Sequence, residues 1–380
     1  MAEPLKNQFG PAVPTRIAAM LQAVSNTFDA KAFLADVLTG YESLELMPRA
    51  WHIAHALRRH LPADYEAALA LLMRSAAVPA DHSAGLGMTS FLFLPHVFFV
   101  AHYGLDHFEA SMQAQHDLTQ RFTAEFSIRP YLERHREATL ARLTIWAHDP
   151  SPHVRRLVSE GTRPRLPWAP RLREFQRDPS PVLALLELLK DDPELYVRRS
   201  VANNLNDIGK DHPELLHATA RRWLQGEPGR PASDERRWIV QHALRSAVKR
   251  GEAGALQALG FGKAAKVAVT EVDIAPPRVA IGGKLSIALD LTNTTAQAQT
   301  LCVDLKVHFI KAYGAASAKV FKLKNVDLVP HATQRLGKTI SLAEMTTRKH
   351  YPGTHLVELV LNGQVQRLGE FELVAAGAWT

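Results

Sequence analysis

The sequence predicts an all-α repeat region followed by an all-β sandwich. One short motif occurs twice at a long, fixed spacing, and the segments around it place apolar residues on one helical face. The chain then changes character near residue 260, where the apolar period falls from 3.6 to 2. The basic residues change at the same point, because residues 1–260 hold 26 of the 30 Arg but only 5 of the 15 Lys.

The repeated motif has the form Asp-Pro-x-x-x-Val-Arg-Arg. It begins at Asp149 and again at Asp192, a spacing of 43 residues, and a degenerate copy covers residues 231–238. A period of about 40 to 47 residues is typical of HEAT-like repeats, in which helix pairs bury their apolar faces against their neighbours. Proline suits the first helical turn, where its missing N–H is not needed.

The helices expected around the motif have one apolar and one polar face. In the second copy the apolar positions are Val197, Val201, Leu205 and Ile208. On the opposite face Arg199, Asn203 and Asp207 follow each other at steps of four. Further helices are predicted over residues 16–24, 30–39, 49–61, 63–77, 108–126, 137–148 and 182–190. Residues 1–258 are therefore predicted to form a HEAT-like-repeat solenoid.

Residues 264–380 alternate apolar and polar side chains between Gly, Pro and Asn. The clearest segments are 284–292, 301–309 and 355–361. About seven such strands predict an antiparallel sandwich of immunoglobulin type. The single cysteine, Cys302, excludes an internal disulfide and favours a reducing, cytoplasmic compartment.

The distribution of charged residues indicates a nucleic-acid partner. The net charge of +7 divides into +2 for residues 1–260 and +5 for the remainder, so a basic surface in the first part requires local clustering. Arginines cluster over residues 129–177, and a guanidinium suits phosphate. We expect no signal peptide and no membrane span, because the longest apolar stretch, 91–101, is short and contains Pro95 and His96.

Three segments carry a family resemblance: His153–Trp168, Phe122–Pro130 and Arg199–Pro213. Together they resemble the AlkC family of DNA alkylation glycosylases, HEAT-like-repeat enzymes of which some carry an additional immunoglobulin-like domain. The likeness covers residues 1–255, and its most specific part is Ser-Glu-Gly-Thr-Arg-Pro-Arg-Leu-Pro-Trp, which ends at Trp168.

The resemblance implies a monofunctional glycosylase of base excision repair. Such an enzyme removes cationic 3-methyladenine and 3-methylcytosine from duplex DNA, leaves an abasic site, does not flip the base and needs no metal or organic cofactor. It also implies a monomer that works in the bacterial cytoplasm, associated with the nucleoid through DNA.

This chemistry requires particular side chains. A positively charged base needs no acid to leave, because departure neutralises it. The sugar becomes an oxocarbenium-like cation, which a carboxylate can stabilise while it positions or deprotonates the attacking water. An indole face attracts the same positive charge.

By resemblance, two sets of residues are assigned to the site. The predicted active-site residues are Glu125, Glu160, Asp207 and Trp168. The predicted contacts to phosphates beside the lesion are Arg156, Arg163, Arg165 and Arg199. Stacking of adjacent repeats is expected to bring Asp207 near Glu160, and Glu125 is expected on the preceding helix.

Each assignment has a structural alternative. Glu160 stands four residues after Arg156, which is the spacing of an ordinary helical ion pair. Trp168, between prolines, could be a packing plug. The remaining alternatives are capping by Asp207 or its pairing with Arg199, and bridging of Glu125 to Arg121 or Arg129.

Other functions stay open from the residues alone. A non-catalytic HEAT-like scaffold would bind a protein or peptide, and a non-enzymatic reader would bind alkylated or distorted DNA without releasing a base. His102, His107 and His116 follow no known metal spacing, and Gly282-Gly283 is expected to form a hairpin turn.

Overall fold

The chain folds into two compact units. A computed structural model describes residues 5–77, 89–226, 229, 231–262, 264–345 and 349–375. The first unit comprises Met1–His212 with Ser233–Ala243, and the second comprises Pro213–Ala232 with Leu244–Thr380. The predicted boundary between residues 258 and 264 stays a prediction, since the second unit also includes helical segments.

Fifteen α-helices occupy the described residues before the strands. They are α1 (Ala12–Gln22), α2 (Ala30–Leu38), α3 (Leu46–His60), α4 (Tyr65–Ala77), α5 (Leu94–Tyr103), α6 (Phe108–Thr119), α7 (Ile128–Arg134), α8 (Arg136–Trp146), α9 (Pro152–Gly161), α10 (Arg173–Arg177), α11 (Ser180–Leu189), α12 (Leu195–Ile208), α13 (Pro213–Gln225), α14 (Asp234–Lys249) and α15 (Ala253–Ala258). None of the described helices combines the length and hydropathy needed to cross a membrane.

The predicted helix over residues 108–126 is wrong in its second part. Helix α6 ends at Thr119, and the backbone N–H groups of Arg121 and Phe122 both bond to the Leu118 carbonyl. The Thr123 hydroxyl then accepts the N–H of Glu125, 3.2 Å between heavy atoms. A side-chain acceptor of this kind competes with the helical carbonyl. Glu125 therefore lies in a loop and not on a helix.

The two copies of the motif fold alike. Arg155 Nη1 donates to the carbonyl oxygens of Asp149 and Pro150, at 2.9 and 3.0 Å. Arg198 Nη1 makes the same two bonds one repeat later, to the residues of the second Asp-Pro pair. Arg155 Nε also donates to Asp192 Oδ2, at 2.6 Å, so the first copy is tied to the start of the second.

The strands form two sheets. They are β1 (Val267–Ala275), β2 (Arg278–Ala280), β3 (Lys284–Asn293), β4 (Gln299–Ile310), β5 (Ala316–Leu328), β6 (Thr333–Ser341), β7 (Gly353–Leu361) and β8 (Gln364–Val374). The sheet orders are β1-β3-β6 and β2-β8-β7-β4-β5, antiparallel except for the pair β2-β8. The predicted change from helices to strands is confirmed.

Alternate residues of the strands face a core between the sheets. In β3 the buried apolar positions are Leu285, Ile287, Leu289 and Leu291. Cys302 lies on β4, as predicted, and packs with Leu256 and Phe261. Burial raises the pKa of its thiol to about 11, which disfavours the reactive thiolate.

The turn at Gly282 corrects one expectation. Gly282 has φ +96°, a value that favours glycine. The strands on either side of it pair with different partners, β2 with β8 and β3 with β1 and β6. The turn therefore joins the two sheets and does not close a hairpin.

The contribution of the ion pair between Arg155 and Asp192 can be tested by measuring the free energy of unfolding. We expect Arg155→Met to lower the free energy of unfolding by about 2–4 kcal/mol, because the carboxylate of Asp192, 3% exposed, would lose its cationic partner and keep only the N–H of Glu194. The matched control is Arg134→Met, whose ion pair with Asp106 is exposed and should contribute less than about 1 kcal/mol. Urea unfolding measures both, and equal losses would contradict the prediction.

Candidate active site

A cavity of about 330 Å³ opens in the first unit. Three of the predicted site residues line it: Glu125, Arg156 and Trp168. The other lining residues are Met47, Phe91, Leu94, Thr119, Gln120, Arg121, Phe122, Thr123, Phe126, His153 and Tyr196. The wall is mostly apolar and aromatic, with few charged groups, which is typical of a small-molecule site.

Six side chains of alternating charge run from this cavity into the protein. We call them the charged ladder: Glu125, Arg156, Glu160, Arg163, Asp207 and Lys210. Three carboxylates alternate with three cations, so the ladder is neutral in sum. The segments that contribute are the loop after α6, helix α9 with the turn that follows it, and helix α12 with its own following turn.

Short hydrogen bonds hold the middle of the ladder together around Glu160. Arg163 Nη1 lies 2.7 Å from Glu160 Oε1, and Arg163 Nε lies 2.8 Å from Asp207 Oδ2. Ser200 Oγ donates to Glu160 Oε2, at 2.6 Å. Glu160 and Asp207 are 6% and 1% exposed, so both carboxylates lie behind the cavity and do not line it.

The ends of the ladder are more accessible. Arg156 Nη2 lies 2.9 Å from Glu125 Oε2 and 3.6 Å from Glu160 Oε1. Burial opposes the charge of Arg156, but attraction to both carboxylates raises the pKa of its guanidinium overall. At the other end Lys210 Nζ lies 2.8 Å from Asp207 Oδ1, and the lysine side chain is 42% exposed.

Close packing of α9 on α12 places the carboxylates together. Asn204 Nδ2 on α12 donates to the carbonyl oxygen of Ser159 on α9, at 2.7 Å. Gly161 follows Glu160 because a Cβ there would lie 2.4 Å from Ile128 Cγ2, closer than two such atoms approach. The sequence Ser-Glu-Gly thus combines one helix contact, one carboxylate and one position without room for a side chain.

A buried arginine holds the loop that carries Trp168. Arg129 donates through Nη1 to the carbonyl oxygens of Gly161 and Arg163, at 3.1 and 2.8 Å, and through Nη2 to that of Pro170, at 2.5 Å. Burial lowers the pKa of Arg129 to about 10, which leaves it a cation at neutral pH. Trp168 itself has φ +64° and is 62% exposed. Its side chain is therefore presented outward from a fixed loop, and the interpretation as a packing plug is wrong.

The predicted phosphate contacts differ in where they lie. Arg163 is 9% exposed and is held by two carboxylates, and Arg165 Nε donates to Asp211 Oδ2, at 2.9 Å. Arg199 is exposed. Arg121 and Arg171 are also exposed and form no ion pair with any residue in the described part of the chain. Arg121 lines the cavity, and in the sequence it was considered only as a partner of Glu125.

The structural alternatives are also decided. The helical ion pair between Arg156 and Glu160 is present, at 3.6 Å, and forms part of the ladder. Asp207 is paired with Arg163 and Lys210 and not with Arg199. The partner of Glu125 is Arg156 instead of Arg121 or Arg129.

Sequence reasoning missed Tyr196. Its ring lies under the guanidinium of Arg156, 5.0 Å from the ring centroid, and packs edge-on against His153 at 5.6 Å. Both rings line the cavity. They occupy the same position in the two copies of the motif, the residue before Val-Arg-Arg. This repeat equivalence was the signal that could have identified the pair.

The histidines named from the sequence do not converge. His107 Nδ1 lies 3.0 Å from Glu66 Oε1, and His116 Nε2 lies 2.8 Å from Asp149 Oδ2. Among the described residues, no group of three or more His, Cys, Asp or Glu side chains is arranged to hold a metal ion.

The comparisons with known proteins match both parts of the chain. A solved structure of the Pseudomonas fluorescens alkylpurine DNA glycosylase AlkC, bound to DNA containing an abasic site analog, is 39% identical with a TM-score of 0.89, covering 98% of this chain and 100% of that one. The Bacillus subtilis (strain 168) protein described as "Uncharacterized protein YhaZ" is 36% identical over 336 residues, 88% of this chain and 89% of that protein. Residues 268–375 match the family described as "Uncharacterised protein YhaZ, C-terminal Ig-like domain".

These similarities and the fold define a DNA glycosylase of DNA repair, with a helical region followed by an immunoglobulin-like domain. Within that class, the chain belongs to the AlkC family.

The pair Arg165–Asp211 should give the protein a distinct acid sensitivity. Hydrogen bonds from Arg165 hold the pKa of Asp211 below its usual value of 3.8. The stabilisation is therefore complete above about that value and disappears as pH falls through the lower folded-state pKa. We expect Asp211→Asn to cost about 1 kcal/mol of unfolding free energy near pH 7 and less near pH 2. Urea unfolding at both pH values measures this, and a cost independent of pH would contradict it.

Proposed function

We propose that the protein is a monofunctional DNA-3-methyladenine glycosylase. In this proposal it hydrolyses the N-glycosidic bonds of 3-methyladenine and 3-methylcytosine in duplex DNA, without flipping the base. The observation that carries the proposal is the charged ladder, which reaches the cavity beside an outward-facing tryptophan. Membership of the AlkC family supports the same reaction.

The ladder suits a reaction in which positive charge moves to the sugar. Because the base is already cationic, no acid has to protonate it, and the barrier depends on the oxocarbenium-like sugar. Fixed carboxylates stabilise such a cation more strongly in a site that excludes water. The three carboxylates of the ladder are held in place by their own cations before any DNA is bound.

Glu125 is the carboxylate best placed to handle the attacking water. It lines the cavity, and both of its contacts, from Thr123 Oγ1 and Arg156 Nη2, go to Oε2. Its Oε1 has no partner among the described residues. One oxygen fixed by the protein and one left without a protein partner, on a side chain that lines the cavity, is the arrangement needed to orient a water and accept its proton.

Asp207 and Glu160 act on the sugar cation from behind the cavity. Lys210, the most exposed member of the ladder, can exchange Asp207 for a DNA phosphate. That exchange leaves Asp207 Oδ1 without its ammonium partner and turns the neutral ladder net negative. The negative charge then favours the cationic base and the developing sugar cation over neutral DNA.

Trp168 contributes attraction of a second kind. Its exposed indole offers an electron-rich face to the sugar cation, worth on the order of 1–2 kcal/mol once water is excluded. The loop held by Arg129 keeps the ring at one position, so little conformational entropy is lost when the indole contacts the sugar.

We assign DNA backbone contact to the exposed arginines Arg121, Arg171 and Arg199, and also to Lys210. Arg156, Arg163 and Arg165 were predicted to contact phosphates, and in this proposal their main part is to position the carboxylates and the loop. A guanidinium shared with a buried carboxylate is already satisfied, whereas an exposed one can exchange water for phosphate.

The remaining assignments concern organisation. We propose that residues 1–258 are a HEAT-like solenoid that carries the glycosylase site, and that residues 264–380 are a separate domain. The matching bonds of Arg155 and Arg198 support the stacked repeats. We also propose that the enzyme is a cytoplasmic monomer, held at the nucleoid through duplex DNA, and uses no cofactor.

One assay tests the reaction. The protein is incubated with methylated duplex DNA, and freed 3-methyladenine and 3-methylcytosine are measured by chromatography. Release of either base supports the enzyme. Lesion-specific binding without release would instead support a reader of alkylated DNA, and salt-sensitive binding without lesion preference would support a scaffold.

The carboxylates give a first set of variants. Glu125→Gln, Glu160→Gln and Asp207→Asn should each lower excision of 3-methyladenine by about 100-fold while weakening duplex binding by less than about five-fold, because neutral isosteres keep the shape and lose the charge. The control is Glu109→Gln, an exposed carboxylate paired with Arg142 outside the cavity, which should retain excision. Parallel losses of excision and binding would mean that the ladder is structural.

Trp168 gives an independent prediction. Trp168→Ala should lower the excision rate by about 5- to 30-fold, the equivalent of 1–2 kcal/mol, and leave the free energy of unfolding almost unchanged because the side chain is exposed. Single-turnover excision and urea unfolding provide the two measurements. An undiminished rate would remove the indole from the mechanism.

A further inference from the structure

The hydroxyl group of Thr123 lies where the cavity meets the charged ladder. Thr123 lines the cavity, and its Oγ1 donates to Glu125 Oε2, at 2.7 Å. The same oxygen accepts the backbone N–H of Glu125, at 3.2 Å, and Nη1–H of Arg156, at 3.0 Å. A neutral side chain thus bonds to two members of the ladder.

These contacts fix the direction of the hydroxyl proton. A threonine hydroxyl has one proton and two lone pairs. Both lone pairs of Thr123 Oγ1 accept from groups that can only donate, a backbone N–H and a guanidinium. The proton is therefore committed to Glu125, because any other direction would lose a hydrogen bond.

The guanidinium of Arg156 closes a ring of hydrogen bonds with Thr123 and Glu125. Its Nη1 donates to Thr123, and its Nη2 lies 2.9 Å from Glu125 Oε2. The ring of Tyr196 packs against the face of the guanidinium. The side chains of Arg156 and Glu125 are 16% and 12% exposed, so water competes little for these bonds.

The ring of hydrogen bonds makes the two oxygens of Glu125 different. Two donors, from Thr123 and Arg156, fill both lone pairs of Oε2. A proton taken from the attacking water can then go only to Oε1. In that step an O–H bond of the water breaks and its proton moves to Oε1, while the water oxygen bonds to C1′. The electron pair of the glycosidic bond leaves with the base, which becomes neutral.

We propose that Thr123 is a positioning residue, which reserves Glu125 Oε1 for the attacking water. This role rests on the part proposed above for Glu125. Without the hydroxyl, the carboxylate can turn about its terminal bond, whose torsion is broad, and offer either oxygen to Arg156. Neither oxygen is then kept free for water.

The test compares valine and serine at position 123. Thr123→Val keeps the shape and loses the hydroxyl, so it should lower the single-turnover rate of 3-methyladenine excision by about 10- to 30-fold and change duplex affinity by less than about two-fold. Thr123→Ser keeps the hydroxyl and should excise within about three-fold of the unmodified chain.

Ser127→Ala is the matched control. Ser127 is buried in the same loop, and its Oγ donates to the carbonyl oxygen of Ala124, at 3.1 Å, but it does not line the cavity. The substitution removes a hydroxyl bond of the loop without touching Glu125, so the excision rate should not change. Urea unfolding checks that each variant is folded, and Thr123→Ala takes the place of the valine variant if that one does not fold.

A double variant shows whether Thr123 acts through Glu125. In the Glu125→Gln background, Thr123→Val should lower excision by less than about two-fold further, because the carboxylate that the hydroxyl positions is already gone. An equal loss in both backgrounds would overturn the proposal, and so would a serine variant as slow as the valine variant.

The outcomes keep the two proposals apart. Normal excision by Thr123→Val beside slow excision by Glu125→Gln would overturn the positioning role alone. Normal excision by Glu125→Gln, or no release of base by the unmodified chain, would overturn the proposed chemistry and this role together.

Discussion

The arrangement of the site depends on one guanidinium. Arg163 lies in the turn after α9 and contacts Glu160 from that helix and Asp207 from α12, in the next repeat. Burial removes the hydration of these two carboxylates. Without a cation between them, nothing would compensate for that cost or for their mutual repulsion. The bridging arginine therefore makes it possible to store two negative charges at the junction of two helices. The other contacts of the ladder, including those of Arg156 and Lys210, extend from this bridge.

Much of this junction could be predicted from the sequence. The repeat spacing of 43 residues placed α9 and α12 in equivalent positions, and the steps of four on the second helix placed Asp207 on its polar face. The loops could not be predicted in the same way. The end of α6 at Thr119 depends on local hydroxyl bonds, and the outward direction of Trp168 depends on Arg129, which lies far away along the chain. Periodicity describes regular elements and contains no information about such contacts.

Charge composition was informative about the presence of arginines but not about their use. The cluster over residues 129–177 suggested a basic surface, yet several of its members are already paired with carboxylates of the protein, Arg155 with Asp192 and Arg165 with Asp211 among them. A formal charge counts an internal pair and an exposed side chain alike. Burial separates them, because an arginine already bonded to a carboxylate must break that bond before it can bind phosphate.

The packing of α9 against α12 has a consequence for how this protein can be altered or recombined. Glu160 and Asp207 belong to successive copies of the motif and share one counter-ion, so neither copy alone contains both buried carboxylates. A chimera joined between Gly161 and Leu195 would inherit one carboxylate from each parent, and both would have to suit the same arginine. The smallest segment that contains both buried carboxylates and the arginine they share is accordingly a pair of neighbouring repeats together with the turn between them.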